Sequence, residues 1–420
     1  MTKRLRLLVI SHAFPPDMGG ASNRAWNIAK AMQTRGHEVA VVAAYPYYPH
    51  GRISPRYRRR LFTRERLEGL EVVRVWIPSL GTKGYFNRLI IYLAFTFSYS
   101  IGQLLLGSRA DVVYYVSPYP LSVLSFPAIL FAKVVRSRVF LDVADLWPEL
   151  ILEIGGFRTP LADMVVKLMS RLVSALSDCI TPTTKSILDR LLQLGLSRSK
   201  LEIVELAVDT EYFRPQPAKL LDDRLRNRFV AEYSGIIHPK YDFPSLIEAA
   251  KIIGQKNARV LILIRGYGEW LPYVKRSTKS MENVLVLDKL EKADKVLDFL
   301  NAAQVLLCPM RDLKVWRCEV PSKILEYFAV GKPVVCSGLG ETEIIMKEHM
   351  PGIIVRPGDP EALAKAILRI AGSREFYDAS AKNARELAVK RFSLSKLSRR
   401  IESLAEARSG SEEVSLRSIP

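Results

Sequence analysis

Two carboxylates, Glu319 and Glu326, share one stretch with the pair Ser322-Lys323: EVPSKILEYFAVGKPVVCSGLGETEII, Glu319 to Ile345. The pattern predicts a helix from Ser322 to Ala329 with Ile324, Leu325 and Phe328 inward. Gly331 stops it, and Pro333 opens a buried strand over Val334–Cys336. A helix that begins at Pro321-Ser322 aims backbone N–H groups at an anion. More than a turn along, the two oxygens of Glu326 suit two vicinal hydroxyls such as a ribose diol. Glu319 then meets the rest of such a ligand, a sugar. The alternative is a capped helix whose charges are merely solvated.

Two loops in the amino half carry further chemistry. In SHAFPPDMGGASNRAW, Ser11–Trp26, Gly19 and Gly20 follow a buried strand and precede a helix, so the backbone can approach a diphosphate. His12 at that strand end is a base or a structural residue. In LDVADLWPEL, Leu141–Leu150, Asp142, Asp145 and Glu149 fall at or just past the carboxyl end of a strand, the edge where ligands bind in open α/β sheets. Asp145 is read as orienting or deprotonating an acceptor hydroxyl, with Glu149 assisting; a helix N-cap is the alternative for Asp145. Lys240 in HPKYD and Arg265, before the Gly266-x-Gly268 turn, are read as loop cations that steady a leaving diphosphate; Lys323 is a third. No Asp-x-Asp metal motif occurs, so the expectation is that no metal or other cofactor is required.

The stretch from Glu319, followed by Gly352–Ile367, resembles the carboxyl half of glycosyltransferase family 4 (group 1). Its members are retaining enzymes with the two-domain GT-B architecture. RGHEVAVVA (Arg35–Ala43), the glycine loop and the Asp-Leu-Trp-Pro-Glu segment match members that build lipid-linked or surface glycans. The family spaces its two Glu by seven residues; here Glu319 and Glu326 are separated by six, and the strict first position holds Cys318. Gly235 is followed by Ile236, where many members have Arg. The resemblance implies a nucleotide diphosphate sugar as donor substrate, a hexose transferred with retention and a polyprenyl-linked glycan as acceptor. Donor-binding roles fall to Gly19, Gly20, Lys240, Arg265, Gly266, Pro321, Ser322, Lys323 and Glu326. Catalytic roles fall to Asp145, Glu149, Glu319 and Lys240. A soluble transferase with a small acceptor, a nucleotide-sugar epimerase and a catalytically dead scaffold remain open.

The 420 residues exceed one ordinary core, and 49% hydrophobic content supports a globular chain. Strands alternating with helices imply an α/β fold, two Rossmann-like doubly wound parallel-sheet domains facing a cleft. In the first domain strands are expected at Leu5–Ile10, Val39–Ala44, Val72–Trp76, Val112–Val116 and Val139–Val143, with a short one from Ile203. Helices are expected at Ala21–Arg35, Leu89–Leu106, Leu121–Val135, Leu161–Leu176 and Lys185–Leu194. The domains are 1–205 for the acceptor and 229–395 for the nucleotide sugar. They are joined by a linker at 206–228, with a helix end and frayed tail at 396–420. The family's last helix crosses back onto the first domain, here within about Ser380–Ala407.

Net charge is +19, with 27 basic and 13 acidic side chains in residues 1–200 against 35 and 30 in 201–420. Seven arginines lie between positions 52 and 66: Arg52, Arg56, Arg58, Arg59, Arg60, Arg64 and Arg66. They favour phosphates or an anionic lipid surface over a plain solvated loop. No helix-turn-helix, zinc-finger or RNP pattern accompanies the charge, so nucleic acid is not expected. Beside the cluster, Leu89–Leu106 is free of charges but short for a span. It is read as a membrane-facing helix within 85–106 exposing Phe95, Phe97 and Tyr99, with a core helix as the alternative. Four unpaired cysteines and no secretory leader fit a cytoplasmic protein held peripherally at the inner face of the cell membrane.

Overall fold

The computed structural model describes residues 4–47, 52–57, 59–80, 85–106, 110–116, 126–146, 175–219, 222–288 and 293–416, with single positions between 160 and 172. Glu149, Arg58, the start of the helix expected from Leu121 and most of that expected at Leu161–Leu176 lie outside the described residues.

The chain forms two compact units, residues 1–207 with 394–420, and residues 208–393. In the first, β1 (Arg6–Ser11), β2 (Glu38–Ala44), β3 (Phe62–Leu67), β4 (Leu70–Val75), β5 (Val112–Val116), β6 (Arg138–Val143) and β7 (Cys179–Pro182) form one sheet in the order β3-β4-β2-β1-β5-β6-β7. Runs such as LLVI and VVYYV are buried on both faces, as parallel strands between helix layers must be. Helices α1 (Gly20–Thr34), α2 (Tyr85–Leu106), α3 (Phe126–Val134) and α4 (Lys185–Gln193) follow the expected order.

Part of the arginine segment is strand, which narrows the solvated-loop alternative: Arg64 and Arg66 lie on β3, which pairs antiparallel with β4 at the sheet edge. Exposed and half-buried residues alternate along β3, which suits an edge strand with one face covered. No strand is assigned at Ile203; the chain runs beside β7 through Glu202 N–H to the Ile180 carbonyl and Val204 N–H to the Pro182 carbonyl.

The second unit stacks β8 (Phe229–Ser234), β9 (Val260–Arg265), β10 (Val284–Leu287), β11 (Val305–Pro309), β12 (Val334–Ser337) and β13 (Gly352–Val355) in the order β10-β9-β8-β11-β12-β13, every pair parallel. Its helices are α5 (Phe243–Lys256), α6 (Leu271–Thr278), α7 (Ala293–Ala302), α8 (Ser322–Ala329), α9 (Glu341–His349), α10 (Pro360–Gly372) and α11 (Arg374–Arg391). The stretch read as a linker packs within this unit: Asn301 accepts from Gln216 N–H at 2.8 Å, and Arg385 donates to the Thr210 and Phe213 carbonyls. The last helix, α12 (Leu394–Leu416), belongs to the first unit. Leu397, Ile401, Leu404 and Ala405 there join the core of α1, β1 and β2.

Candidate active site

In the second sheet the strand order turns at β8, whose neighbours are β9 and β11. The crevice past the carboxyl ends of β8 and β11 is where such sheets bind ligands. Most of the expected donor residues meet there. The loops after the two strands are tied by Asp242 N–H to the Pro309 carbonyl at 2.7 Å and by a Tyr241–Met310 bridge.

Helix α8 starts at this edge exactly as its apolar spacing requires, with Ile324, Leu325 and Phe328 buried. Pro321 is its N-cap residue and provides no side-chain cap. Tyr327 pins the helix to the strand end, its hydroxyl accepting from Ser234 N–H at 3.1 Å and donating to the Ser234 carbonyl at 3.0 Å. Gly331, at φ +64°, ends the helix in the left-handed region.

Lys323 projects from the first turn of α8. Its Nζ donates to the Tyr233 hydroxyl at 2.9 Å and stands 4.0 Å from the ring centroids of both Tyr233 and Tyr241. A Cβ on Gly235 would lie 2.5 Å from that nitrogen, so the glycine makes room for the cation. Burial pulls the Lys323 pKa down to about 7, against the opposing pull of Cys308 and Glu326. Glu326, half-buried one turn on, is pushed up to about 7 by burial, with Lys323 and Arg265 working the other way. Half-buried groups of opposite charge type thus share one helix face three residues apart.

Lys240 and Glu319 form an ion pair at 3.3 Å, with the ammonium 5.3 Å from the Trp316 ring centre. Thr342 donates to the Glu319 carbonyl, fixing that loop. Gly266 lets two loops interlock, since a Cβ there would come 1.8 Å from the Gly235 carbonyl oxygen.

Arg265 departs from its expected place. It is the last residue of β9, not a loop residue, and its buried guanidinium meets Glu232 at 3.0 Å, Ser234 Oγ at 2.6 Å and the ring of Phe299. Register puts Ser234 opposite it on β8, so its fork is spent inside the sheet. It acts on the site through its field at Glu326.

In the first unit the order turns at β1, and the glycine loop follows that strand. Gly19 is the N-cap of α1 at φ +108°, and a Cβ on Gly20 would meet nothing within 4 Å, so this helix start is open. His12 is buried, and burial lowers its pKa to about 4, which keeps the ring neutral. Asp142 is not at the open edge. Its carboxylate takes Arg24 at 2.9 and 3.2 Å, Tyr114 at 3.2 Å and Thr181 at 3.1 Å, a buried cluster that position alone did not reveal. Asp145 lies two residues past β6 and is exposed. Among the described residues no three His, Cys, Asp or Glu side chains gather as a metal-binding group.

Helix α2 corrects one expectation. Phe95 and Tyr99 are buried, 6% and 1% exposed, and only Phe97 of the three faces outward, at 67%. Positions 95 and 99 share a face, and position 97 falls on the opposite one. A Cβ on Gly102 would come 2.8 Å from Val42 and 2.9 Å from Val75, which marks how closely the inner face sits on β2 and β4. The outer face instead presents Leu93, Phe97, Ile101 and Leu104, a regular apolar stripe. Arg64 of β3 donates to the Leu105 carbonyl, placing the basic edge strand beside that stripe. Arg52, Arg56, Arg59 and Arg60 are exposed. No helix among the described residues is long and apolar enough to cross a membrane.

Residues 229–373 match the family described as Glycosyl transferases group 1, and residues 19–207 match the Glycosyl transferase 4-like domain. The amylovoran biosynthesis glycosyltransferase AmsK of Erwinia amylovora is 24% identical over 200 residues, 47% of this chain and 48% of that protein. The putative colanic acid biosynthesis glycosyl transferase WcaI of Escherichia coli (strain K12) is 23% identical over 86% of this chain and 91% of its own. An Escherichia coli UDP-Gal:alpha-D-GlcNAc-diphosphoundecaprenol alpha-1,3-galactosyltransferase is 25% identical over 49% of this chain and 53% of its own. This chain therefore spans about half the length of two of these three relatives. Among solved structures, sucrose-phosphate synthase from Thermosynechococcus elongatus superposes with a TM-score of 0.71 at 15% identity, covering 97% of this chain and 100% of that one. Anabaena HepE in complex with UDP and glucose gives 0.68 at 16%, with the same coverage. At such identities the likeness is one of fold.

Proposed function

This chain belongs to the group 1 glycosyltransferases and has their GT-B fold, and on that premise we propose that it moves a hexose from a nucleotide diphosphate sugar to a hydroxyl of a polyprenyl-diphosphate-linked glycan, with retention at the anomeric carbon. The observation that carries the donor half is the gathering of Lys323, Glu326, Lys240 and Glu319 around the start of α8, at the switch point of the second sheet.

Glu326 accepts from the ribose diol. Lys323 and the N-terminus of α8 take the diphosphate, and Glu319 with its partner Lys240 meets the sugar end. In the first unit, taken by itself, the open start of α1 at Gly19 and Gly20 is also suited to a phosphate. Breaking the bond from anomeric carbon to diphosphate oxygen leaves negative charge on the nucleoside diphosphate, and these fixed cations and helix dipoles stabilise it with no metal assigned. Asp145 orients the acceptor hydroxyl. The leaving phosphate takes the hydroxyl proton on the same face of the sugar, which is how retention follows. Relatives named for amylovoran and colanic acid biosynthesis, and one named for a diphosphoundecaprenol acceptor, support the acceptor class.

An acceptor of that kind sits at a membrane, and the outer stripe of α2 beside the basic β3 suits the cytoplasmic face of an anionic bilayer. The stripe enters the headgroup boundary while the arginines hold lipid phosphates.

Saturation-transfer NMR of the full chain against UDP-, GDP- and dTDP-sugars tests the donor assignment. One donor binds the wild type, and Glu326→Ala weakens it by about 1–3 kcal/mol, the scale for a charged hydrogen-bond partner. Binding of none of them would overturn the transferase assignment.

A further inference from the structure

Two aromatic rings to which neither the family match nor the site above gives a role stand around the Lys323 ammonium. Tyr233 lies on β8 and Tyr241 in the loop before α5, and both are buried. Their ring centres are 5.3 Å apart with the planes at 69°, so the two faces form a corner, backed by Phe243 at 5.0 Å from Tyr233 and 6.4 Å from Tyr241. Lys323 Nζ stands over both faces at 4.0 Å and donates to the Tyr233 hydroxyl at 2.9 Å. Tyr241 is itself fixed by its N–H to the His238 carbonyl at 2.9 Å and by the bridge to Met310.

Lys240, on the same sheet edge, is held differently. Its ammonium meets the Glu319 carboxylate at 3.3 Å, and an opposite charge already at that range offsets much of the attraction for a second anion. A π face attracts a cation through its quadrupole and leaves the net charge in place. Among the described residues the one side-chain hydrogen bond of Lys323 goes to a hydroxyl, not to a carboxylate. The other titratable groups that bear on Lys323 are Glu326, Cys308 and Lys240; on Tyr241 they are Lys240, Cys308, Glu319 and Cys336, and on Tyr233 they are Tyr327 and Cys308.

We propose that Tyr233 and Tyr241 are positioning residues of the donor site: their rings hold the Lys323 ammonium in place, charged and not neutralised, for the diphosphate of the sugar nucleotide, while the charge of Lys240 is committed to Glu319. This role rests on the assignment of Lys323 to that diphosphate, and every residue it uses lies in the second unit.

The test is calorimetry on the full chain at pH 5, 7 and 8 with whichever of UDP-, GDP- or dTDP-glucose binds the wild type, with a melting curve for each variant. Tyr241→Leu keeps an apolar wall and loses the π face, so Lys323 gives up its proton about one pH unit earlier: donor affinity falls about tenfold at pH 8 and stays within about twofold at pH 5. Tyr241→Phe keeps the face and the wild-type profile. Tyr233→Phe, which removes only the hydroxyl, gives the same alkaline loss at about threefold and is the decisive variant should Tyr241→Leu not fold. In a Lys323→Met background Tyr241→Leu changes donor affinity by no more than about twofold at any of the three pH values. Equal weakening at pH 5 and pH 8 would make Tyr241 merely structural. Unchanged affinity at pH 8 in Tyr241→Leu, or in Tyr233→Phe if only that folds, would overturn the cage alone, as would a Tyr241→Phe variant as weak as Tyr241→Leu. A wild type that binds no sugar nucleotide would remove the donor assignment, and this role with it.

Discussion

Lys323 and Glu326 predict a bell-shaped pH dependence of donor binding centred near neutrality. The empty protein holds both groups near pKa 7, the ammonium pulled down and the carboxyl pushed up by burial. A ribose diol needs the carboxylate and a diphosphate needs the ammonium. With both pKa values at about 7, about one molecule in four carries both charges at pH 7, about one in twelve at pH 6 or 8, and about one in a hundred at pH 5 or 9. Affinity therefore falls about threefold one pH unit from the maximum and about 25-fold two units away. Glu326→Gln removes the acid limb and leaves affinity declining as pH rises. Lys323→Arg removes the alkaline limb and leaves affinity declining as pH falls. Stability carries the complementary signature. Between the unfolded value of 4.5 and about 7, folded Glu326 retains a proton the unfolded chain has lost, so stability falls as pH rises through that window, by roughly 3 kcal/mol. Between about 7 and 10.5 folded Lys323 lacks a proton the unfolded chain retains, so stability climbs with pH there. Calorimetric titrations of a sugar nucleotide from pH 5 to 9, a range in which none of its own groups titrates, check the profile. Affinity constant within twofold across that range would refute the assignment of both groups.

Asp145→Asn spares donor affinity and lowers transfer to a polyprenyl-linked acceptor by about 100-fold, the scale of a misplaced reactant; a fully active variant sinks the acceptor role. Replacing Phe97, Ile101 and Leu104 together by Ser removes about 3 kcal/mol of apolar insertion, taking these half-exposed side chains at about 1 kcal/mol each. Flotation with phosphatidylglycerol vesicles should then fall about 100-fold in partition coefficient, and unchanged flotation, or a dimer that becomes a monomer, would assign the stripe elsewhere.

The parts of the site that were legible in the sequence are those whose determinants are neighbours along the chain. Helix α8 was readable because Ile324, Leu325 and Phe328 repeat at helical spacing and Gly331 supplies the left-handed stop. The two parallel sheets followed from the alternation of strands and helices, and the glycine loop from its place after β1. The strand within the arginine segment was not legible because Arg64, Glu65 and Arg66 are consecutive charges, and only pairing with β4 at the sheet edge, with exposed and half-buried positions alternating, accommodates them as β3. On α2 the charge-free run offers no polar face, so the sequence has nothing to phase it; the contact of Gly102 with Val42 and Val75 decides which side is inner.

What stayed hidden depends on register and on loops brought together from afar. Arg265 looked available because it precedes a glycine turn, yet the pairing of β8 with β9 sets it against Ser234 and within reach of Glu232, and burial makes that pairing obligatory. The reverse holds for Lys323. Nothing near it in sequence says that Tyr233 and Tyr241 flank its ammonium, or that Gly235 leaves the space it fills. A cation caged by π faces keeps less of its hydration than one in water, and the pull of Glu326 and Cys308 does not make up for that burial, so the proposed diphosphate would supply charge that the site lacks. The chemistry proposed for this site thus lies in what the fold withholds from Lys323, and that is a property of three segments that only the sheet order brings to one edge.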